Sequence, residues 1–199
     1  HCRKRIDFYE ALIINEMGFC NDDCAVAYGK SDKAKKLVEK NERAELRARK
    51  EALKSLSVWK SEAQKSVNSY IRTRDRNKLC VSCHRPLNSA VGTGGYFDAG
   101  HFIPRGAARN GIGNNLRFHT LNIWGQCKSC NNYKGGAYSE YRQELINRIG
   151  EDRVKGLEEH EHIDHLTKRP GSRKWTIPEC KRIKDLFNKR RRMYERKFR

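Results

Sequence analysis

LCVSC at residues 79–83 and QCKSC at residues 126–130 decide how this chain is read. Each is a Cys-x-x-Cys knuckle, Cys80 with Cys83 and Cys127 with Cys130. Two such knuckles turn four thiolates toward one tetrahedral metal, and zinc is the ion that this donor set suits. A four-thiolate shell is closed and leaves no position for water, so zinc here is a structural staple between two distant segments. Between and just after the knuckles lie His101, Asn122 and Asn131, residue types that a plain zinc module does not need.

Composition sets the class of partner. Across 199 residues, 43 Lys and Arg face 24 Asp and Glu, a formal net charge of +19. Such an excess favours a polyanion, because Lys and Arg release condensed counterions from a phosphate backbone. The same balance occurs in RNA binders and membrane-surface proteins, so charge alone gives only the partner class. Mean hydropathy is −0.93 and 37% of residues are hydrophobic; a small core of this kind gains from metal staples. No run reaches the roughly 18 apolar residues of a membrane span, and no signal-peptide core is visible. Six of the eight cysteines lie in Cys-x₂-Cys or Cys-x₃-Cys contexts, which reads as metal ligation in a reducing compartment rather than a disulfide scaffold. Because the sequence starts at His1 rather than Met, further residues are expected upstream.

Four segments follow. Residues 1–29 carry Cys2, Cys20 and Cys24, the pattern of a second zinc hairpin whose fourth ligand is missing; buried or free thiols are the alternative. Residues 30–56 are rich in Ala, Glu, Lys, Leu and Arg and predict a charged helix, either an exposed arm or a solvated linker. Residues 57–150 hold the knuckles. Ser57 is a candidate N-cap for a helix over 57–76, with Trp59, Ala63, Val67, Tyr70 and Ile71 on its core face. Strands are expected at 96–103 and 121–124, and a helical start at 129–135. A further helix, 139–149, is capped by Ser139, striped by Tyr141, Leu145 and Ile149, and ended by Gly150. Residues 151–199 contain HEHIDH (His160, His162, His165), read as an exposed polar loop, and a basic helix over 176–198. Thr176 and Glu179 have capping-box spacing, and Cys180 reads as a buried thiol. The fold class is α+β, a small zinc-stapled core flanked by helices, with an N-terminal zinc hairpin and a basic helical arm.

Cleaving a phosphodiester requires a base for the attacking water, charge stabilisation at the leaving 3′ oxygen, and cations around the phosphate. A His that is neutral near pH 7 can be the base, and oxygen donors can hold a divalent cation. His101, Asn122, Asn131 and Asp98 supply those chemical types within the stapled segment. Arg105 and Arg117 stand nearby and either grip phosphate through bidentate bonds or remain solvated loop residues.

DAGHFIP (98–104), NIWGQC (122–127) and CNNYKGG (130–136) resemble the HNH, or His-Me finger, ββα-metal nucleases. In that pattern His101 matches the general base and Asn122 the central Asn that braces the loop. Asn131 matches the last motif position, a metal ligand in phage junction resolvases, and Lys134 the trailing Lys. YIRTRDRNKLCVSC, DAGHF, LRF, QCKSCN, YRQELINRIG and KWTIPECKRIK are further similar to the NinG (Rap) recombination family of lambdoid phages over most of residues 59–187. CNDDCAVAYGKS resembles that family's N-terminal hairpin. The resemblance implies a small ββα-metal (HNH) core and a structure-specific endonuclease that cuts branched recombination intermediates such as Holliday junctions and D-loops. It implies zinc at one or two structural sites and catalytic Mg²⁺ or Mn²⁺ on Asn131, with Asp98 a candidate second ligand; Arg105, Arg117 and Lys134 are the candidate DNA contacts. It also implies a homodimer, phage or host recombination proteins as partners, and the cytoplasm of a bacterial host. A non-catalytic zinc DNA- or RNA-binding factor and an HNH nuclease of linear duplex remain alternative readings.

This sequence departs from the family pattern at Gly100, where many HNH enzymes carry Asp directly before the histidine. The nearest carboxylate is Asp98, either a metal ligand or a structural strand-end group. Alternation puts Asp98 and His101 on opposite faces of a regular strand, so one metal could meet both only across a bulge or bend.

Overall fold

The computed structural model describes residues 5–7, 9–14, 16–87, 97–105, 116–159 and 174–197. The chain divides into two compact units, His1–Lys54 and Ser55–Arg199. Both are mixed helix and strand, with helix dominant and each sheet reduced to a two-stranded antiparallel pair.

In the first unit, β1 (Leu12–Ile14) pairs with β2 (Met17–Phe19), and Glu16 takes the left-handed conformation between them at φ 66°. Helix α1 (Asp22–Lys30) follows, capped by Asn21, whose side chain accepts from the Cys24 amide at 3.0 Å. Helix α2 (Asp32–Ala52) begins at the Ser31 cap. The predicted helix over 30–56 is therefore interrupted at its start, because Ser31 is extended and its hydroxyl accepts from the Ala34 amide. Exposed pairs such as Arg43–Glu39 and Arg49–Glu45, each at 3.7 Å, lace α2 and add only tenths of a kcal/mol.

The second unit starts with α3 (Leu56–Asp75), capped by Ser55 rather than Ser57, since the Ser55 hydroxyl accepts from the Val58 amide. Its buried face, Trp59, Ala63, Val67 and Ile71, packs against Ala99, Phe118, Ile123, Trp175, Cys180 and Phe187. The last two belong to α6 (Ile177–Lys197), which opens on the Thr176–Glu179 capping box: the Thr176 amide donates to Glu179 Oε2 at 2.8 Å. Cys180 and Phe187 complete the hydrophobic face of α3.

Between these helices β3 (Asp98–His101) pairs with β4 (Ile123–Gln126), joining Asp98 to Gln126 and His101 to Ile123 without a bulge. The strand expected at 121–124 begins two residues late, because Thr120–Asn122 form a 3₁₀ turn with the Asn122 amide donating to the His119 carbonyl. At the helical start expected over 129–135, Ser129–Tyr133 wind as a π-helical turn. Helix α4 (Tyr138–Ile149) starts after Ala137, which is left-handed at φ 47°, and has no side-chain cap, so Ser139 is not its N-cap. Gly150, at φ 86°, ends it, and α5 (Glu151–Glu159) follows at once. Tyr141 and Leu145 of α4 and Val154 and Leu157 of α5 form a second core with Val81, Phe102 and Leu116. Cys80, Leu87, Phe97, Cys130 and Ala137 form a third. Among the described residues, no helix is long and apolar enough to cross a membrane.

Candidate functional site

Sulfur atoms of Cys80, Cys83, Cys127 and Cys130 all lie within 4.8 Å of one another. Zinc–sulfur bonds of about 2.3 Å at tetrahedral angles separate sulfurs by about 3.8 Å, and Cys83 and Cys127 already stand 3.6 Å apart. Four close cysteines of this geometry can hold a metal ion such as zinc. Burial drives the Cys80 and Cys130 thiols up from their ordinary range. At Cys83, burial is outweighed by the Arg85 backbone and the neighbouring thiols, and the group falls to about 7. In the first unit, Cys20 and Cys24 are brought to 3.0 Å between sulfurs, while Cys2 lies outside the described residues.

Beside the four-cysteine cluster opens a cleft of about 670 Å³, lined in part by Ala99, His101, Arg105, Arg117, Asn131 and Tyr138. His101 ends β3 and is largely buried. Its Nε2 lies 3.1 Å from the Arg117 carbonyl; a carbonyl can only accept, so Nε2 carries the proton and Nδ1 is the basic nitrogen. Burial is the main force on this imidazole. Although the bond to the Arg117 carbonyl favours the cation, burial together with the charges of Arg105 and Arg117 lowers it to about 4. His101 is therefore neutral at pH 7.

Asn122 is fully buried and ties the histidine loop together. Its Oδ1 accepts from the Ile103 amide at 2.8 Å, and its Nδ2 donates to the carbonyls of Ile103 at 3.1 Å and Leu116 at 3.3 Å. One side chain thereby ties Ile103 to Leu116, and the Asn122 main-chain carbonyl also accepts from the Phe102 amide at 2.9 Å. Asn131 sits in the π-helical turn, its amide donating to the Cys127 carbonyl at 2.9 Å. Its Nδ2 donates to Asp98 Oδ2 at 3.0 Å, which leaves Oδ1 as its free ligand atom.

The family described as "Bacteriophage Lambda NinG protein" matches residues 2–197. The chain belongs to the NinG family. Similar curated proteins include those named "Protein ninG" in Escherichia phage lambda, Escherichia phage 933W and Salmonella phage P22, each 41% identical over 145 residues and 73% of this chain. The match covers 61% of the lambda protein and 62% of the other two, so the chain spans less than two thirds of these relatives. No solved structure matches it.

In this NinG-family chain the cleft gathers His101, Asn131, Arg105 and Arg117 from the residues singled out in sequence. Asp98 is not among the residues that line the cleft. With β3 regular, Asp98 reaches Asn131 and, at 3.4 Å, Asn132 Nδ2, and it acts on the cleft through Asn131. Lys134 is exposed on the turn that leads to Gly135 and Gly136 at the cleft wall. Arg117 has a buried Nε without a hydrogen-bond partner among the described residues, and burial with the Arg105 charge depresses its basicity. Two like charges left together beside an open cleft suit an anion. Residues 160–165, with their three histidines, lie outside the described residues.

Three contributors were not visible as such in the sequence. Gln126, 1% exposed, donates from Nε2 to Ser82 Oγ at 2.8 Å and to the Gly136 carbonyl at 2.6 Å, linking the first knuckle to the cleft wall. Tyr141 donates to the Gly100 carbonyl at 2.9 Å. Asp75, fully buried, accepts from the Gly125 amide at 2.9 Å and anchors β4 to the end of α3. Only the position of Gln126 next to Cys127 is a sequence signal; the other two pairings join residues far apart in the chain.

Proposed function

We propose that this chain is a metal-dependent DNA endonuclease of the ββα-metal (HNH) type that cuts branched recombination intermediates. The observation that carries the reading is His101: a neutral imidazole, oriented by the Arg117 carbonyl, in one cleft with Asn131 and two arginines. Its Nδ1 takes the proton from the attacking water. Arg105 and Arg117 neutralise charge on the phosphate. Asn122 keeps the two sides of the loop in register for that step. An amide oxygen suits a hard cation, and Mg²⁺ or Mn²⁺ held by Asn131, itself oriented by Asp98, would stabilise the leaving 3′ oxygen. Products carry 5′-phosphate and 3′-hydroxyl ends. The net charge of +19 supports a nucleic-acid substrate, and the HNH-like motifs support hydrolysis over binding alone. Preference for branched DNA rests on the NinG resemblance. Paired cuts across a junction call for two such clefts, hence a homodimer.

The test is cleavage of four-way, D-loop and linear substrates with and without Mg²⁺, using wild type and His101→Ala. The reading expects metal-dependent cutting of the branched substrates that is lost in the variant while its cysteine-bound metal stays in place. Wild-type rates in His101→Ala would sink it. Tight binding with no product under any divalent metal would leave a non-catalytic zinc module, and equal cutting of linear duplex would leave the nuclease without its branch preference.

A further inference from the structure

Tyr138 opens α4 at the edge of the cleft and is 48% exposed, an uncommon state for a ring held so firmly. One face stacks on Phe102 with ring centres 4.8 Å apart and planes 12° from parallel. Its hydroxyl donates to Glu158 Oε1 at 2.8 Å, and Glu158 is itself held by Arg142 at 2.8 Å. Burial and the Glu158 charge raise the phenol to about 12, so it stays a neutral donor. Phe102 is 2% exposed and directly follows His101. The ring is thus fixed on one face and at its tip while its remaining surface is open, beside Arg105 and Arg117 in a cleft of nucleotide size.

We propose that the open face of Tyr138 is a stacking site for one unpaired nucleobase, and that this site sets a preference for DNA with a free base next to the cut. This proposal rests on the nuclease reading above and supplies its substrate feature. In a continuous duplex each base is covered on both faces by its neighbours. An aromatic ring can stack only on a base at a branch point, flap, bulge or single strand. Such stacking is indifferent to base identity, because every base presents a π-face. A base on Tyr138 lies next to the ring that adjoins His101, which puts its own or an adjacent phosphate within reach of the arginines.

Binding without added Mg²⁺ tests the site apart from catalysis. The probes are a duplex with a single unpaired 2-aminopurine at a branch point and the same duplex fully paired. In wild type and in Tyr138→Phe, which keeps the ring, binding quenches the unpaired 2-aminopurine and the branched probe is preferred. In Tyr138→Leu the quench disappears and the ratio of affinities, branched over paired, falls by roughly five- to a hundredfold. An unchanged ratio and quench in Tyr138→Leu overturns the proposal, as does loss of both in Tyr138→Phe, which would assign the effect to the Glu158 bond. If wild type binds and quenches as expected but no substrate is ever cut, the nuclease reading has failed and the stacking site stands.

Discussion

Nε2 of His101 donates to the main-chain oxygen of Arg117 at 3.1 Å, so the segment that carries one cleft arginine also sets the tautomer of the histidine. Asn122 Nδ2 holds the adjacent Leu116 carbonyl at 3.3 Å, so the bond couples the imidazole to the backbone that Asn122 fixes.

That coupling has a pH signature. Burial, added to by Arg105 and Arg117, lowers His101 to about 4, against about 6.5 in an unfolded chain. The unfolded chain therefore binds the proton first, and folding favours the neutral ring. This contribution is fully present above about pH 6.5 and is lost as pH falls through about 4, with a magnitude on the order of 3 kcal/mol. Urea unfolding between pH 4.5 and 7.5 should show wild-type stability falling toward acid more steeply than that of His101→Gln. In single-turnover cutting, the acid limb should lie below pH 5. A limb centred near 6.5 would show that the ring is solvated.

Gly100 faces Gln126 at very close range. A Cβ built at residue 100 falls 2.3 Å from Gln126 Oε1 and 3.0 Å from Gln126 Cβ. The space that a side chain at residue 100 would take is thus filled from the neighbouring strand. Gly100→Ala should cost about 1–3 kcal/mol by overpacking. Gln126→Ala should also cost, through lost bonds to Ser82 and Gly136. The two changes should couple, the double variant losing at least about 1 kcal/mol less than the sum. Additive losses in a chemical-denaturation cycle would place Gln126 elsewhere in solution.

Removing one knuckle thiolate should undo the second unit. Cys127→Ser opens the four-cysteine shell, and structural zinc of this kind contributes on the order of the whole stability of a small domain. The variant should release its metal to a colorimetric chelator and lose the near-ultraviolet circular dichroism of Trp59, Trp124 and Trp175. Cys20→Ser, in the other unit, should leave that tryptophan signal intact. A native spectrum from metal-free Cys127→Ser would remove the staple from the account.

Asp75 is a buried anchor rather than a reactive group. Burial by itself would raise its carboxyl, but Arg74 and Lys78, at 2.6 and 2.9 Å, outweigh that and hold it below the usual range. Its stabilising contribution is present at neutral pH and is lost only as pH falls below the ordinary carboxylate range. Asp75→Asn should cost about 3 kcal/mol, since it leaves two cations beside a buried site, and should make stability less sensitive to acid. Urea midpoints at pH 7 and pH 3.5 check both.

Local features of the chain were legible from residue order. The apolar stripe of α3, the capping box of α6 and the Gly150 stop depend on neighbours a few residues away, and physics at that range is written in the sequence. The two knuckles were legible because a tetrahedral thiolate site constrains spacing. The errors were equally local. Ser55 rather than Ser57 caps α3, the predicted arm begins at Asp32 behind the Ser31 cap, and Ser139 does not cap α4. In each case several candidate caps compete within a turn, and packing elsewhere chooses among them.

Residue order alone shows two cysteine pairs with metal-ligand spacing, a large cationic excess, and His101, Asn122 and Asn131 around them, because these follow from side-chain chemistry and spacing. Which of these groups meet is set by the fold. Across an unbulged β3, Asp98 accepts from Asn131, Gln126 occupies the space in front of Gly100, and Phe102 and Glu158 fix Tyr138 at the cleft. Those outcomes turn on strand register, on backbone approach within a few ångströms and on helix packing, none of which a linear order of residues specifies by itself.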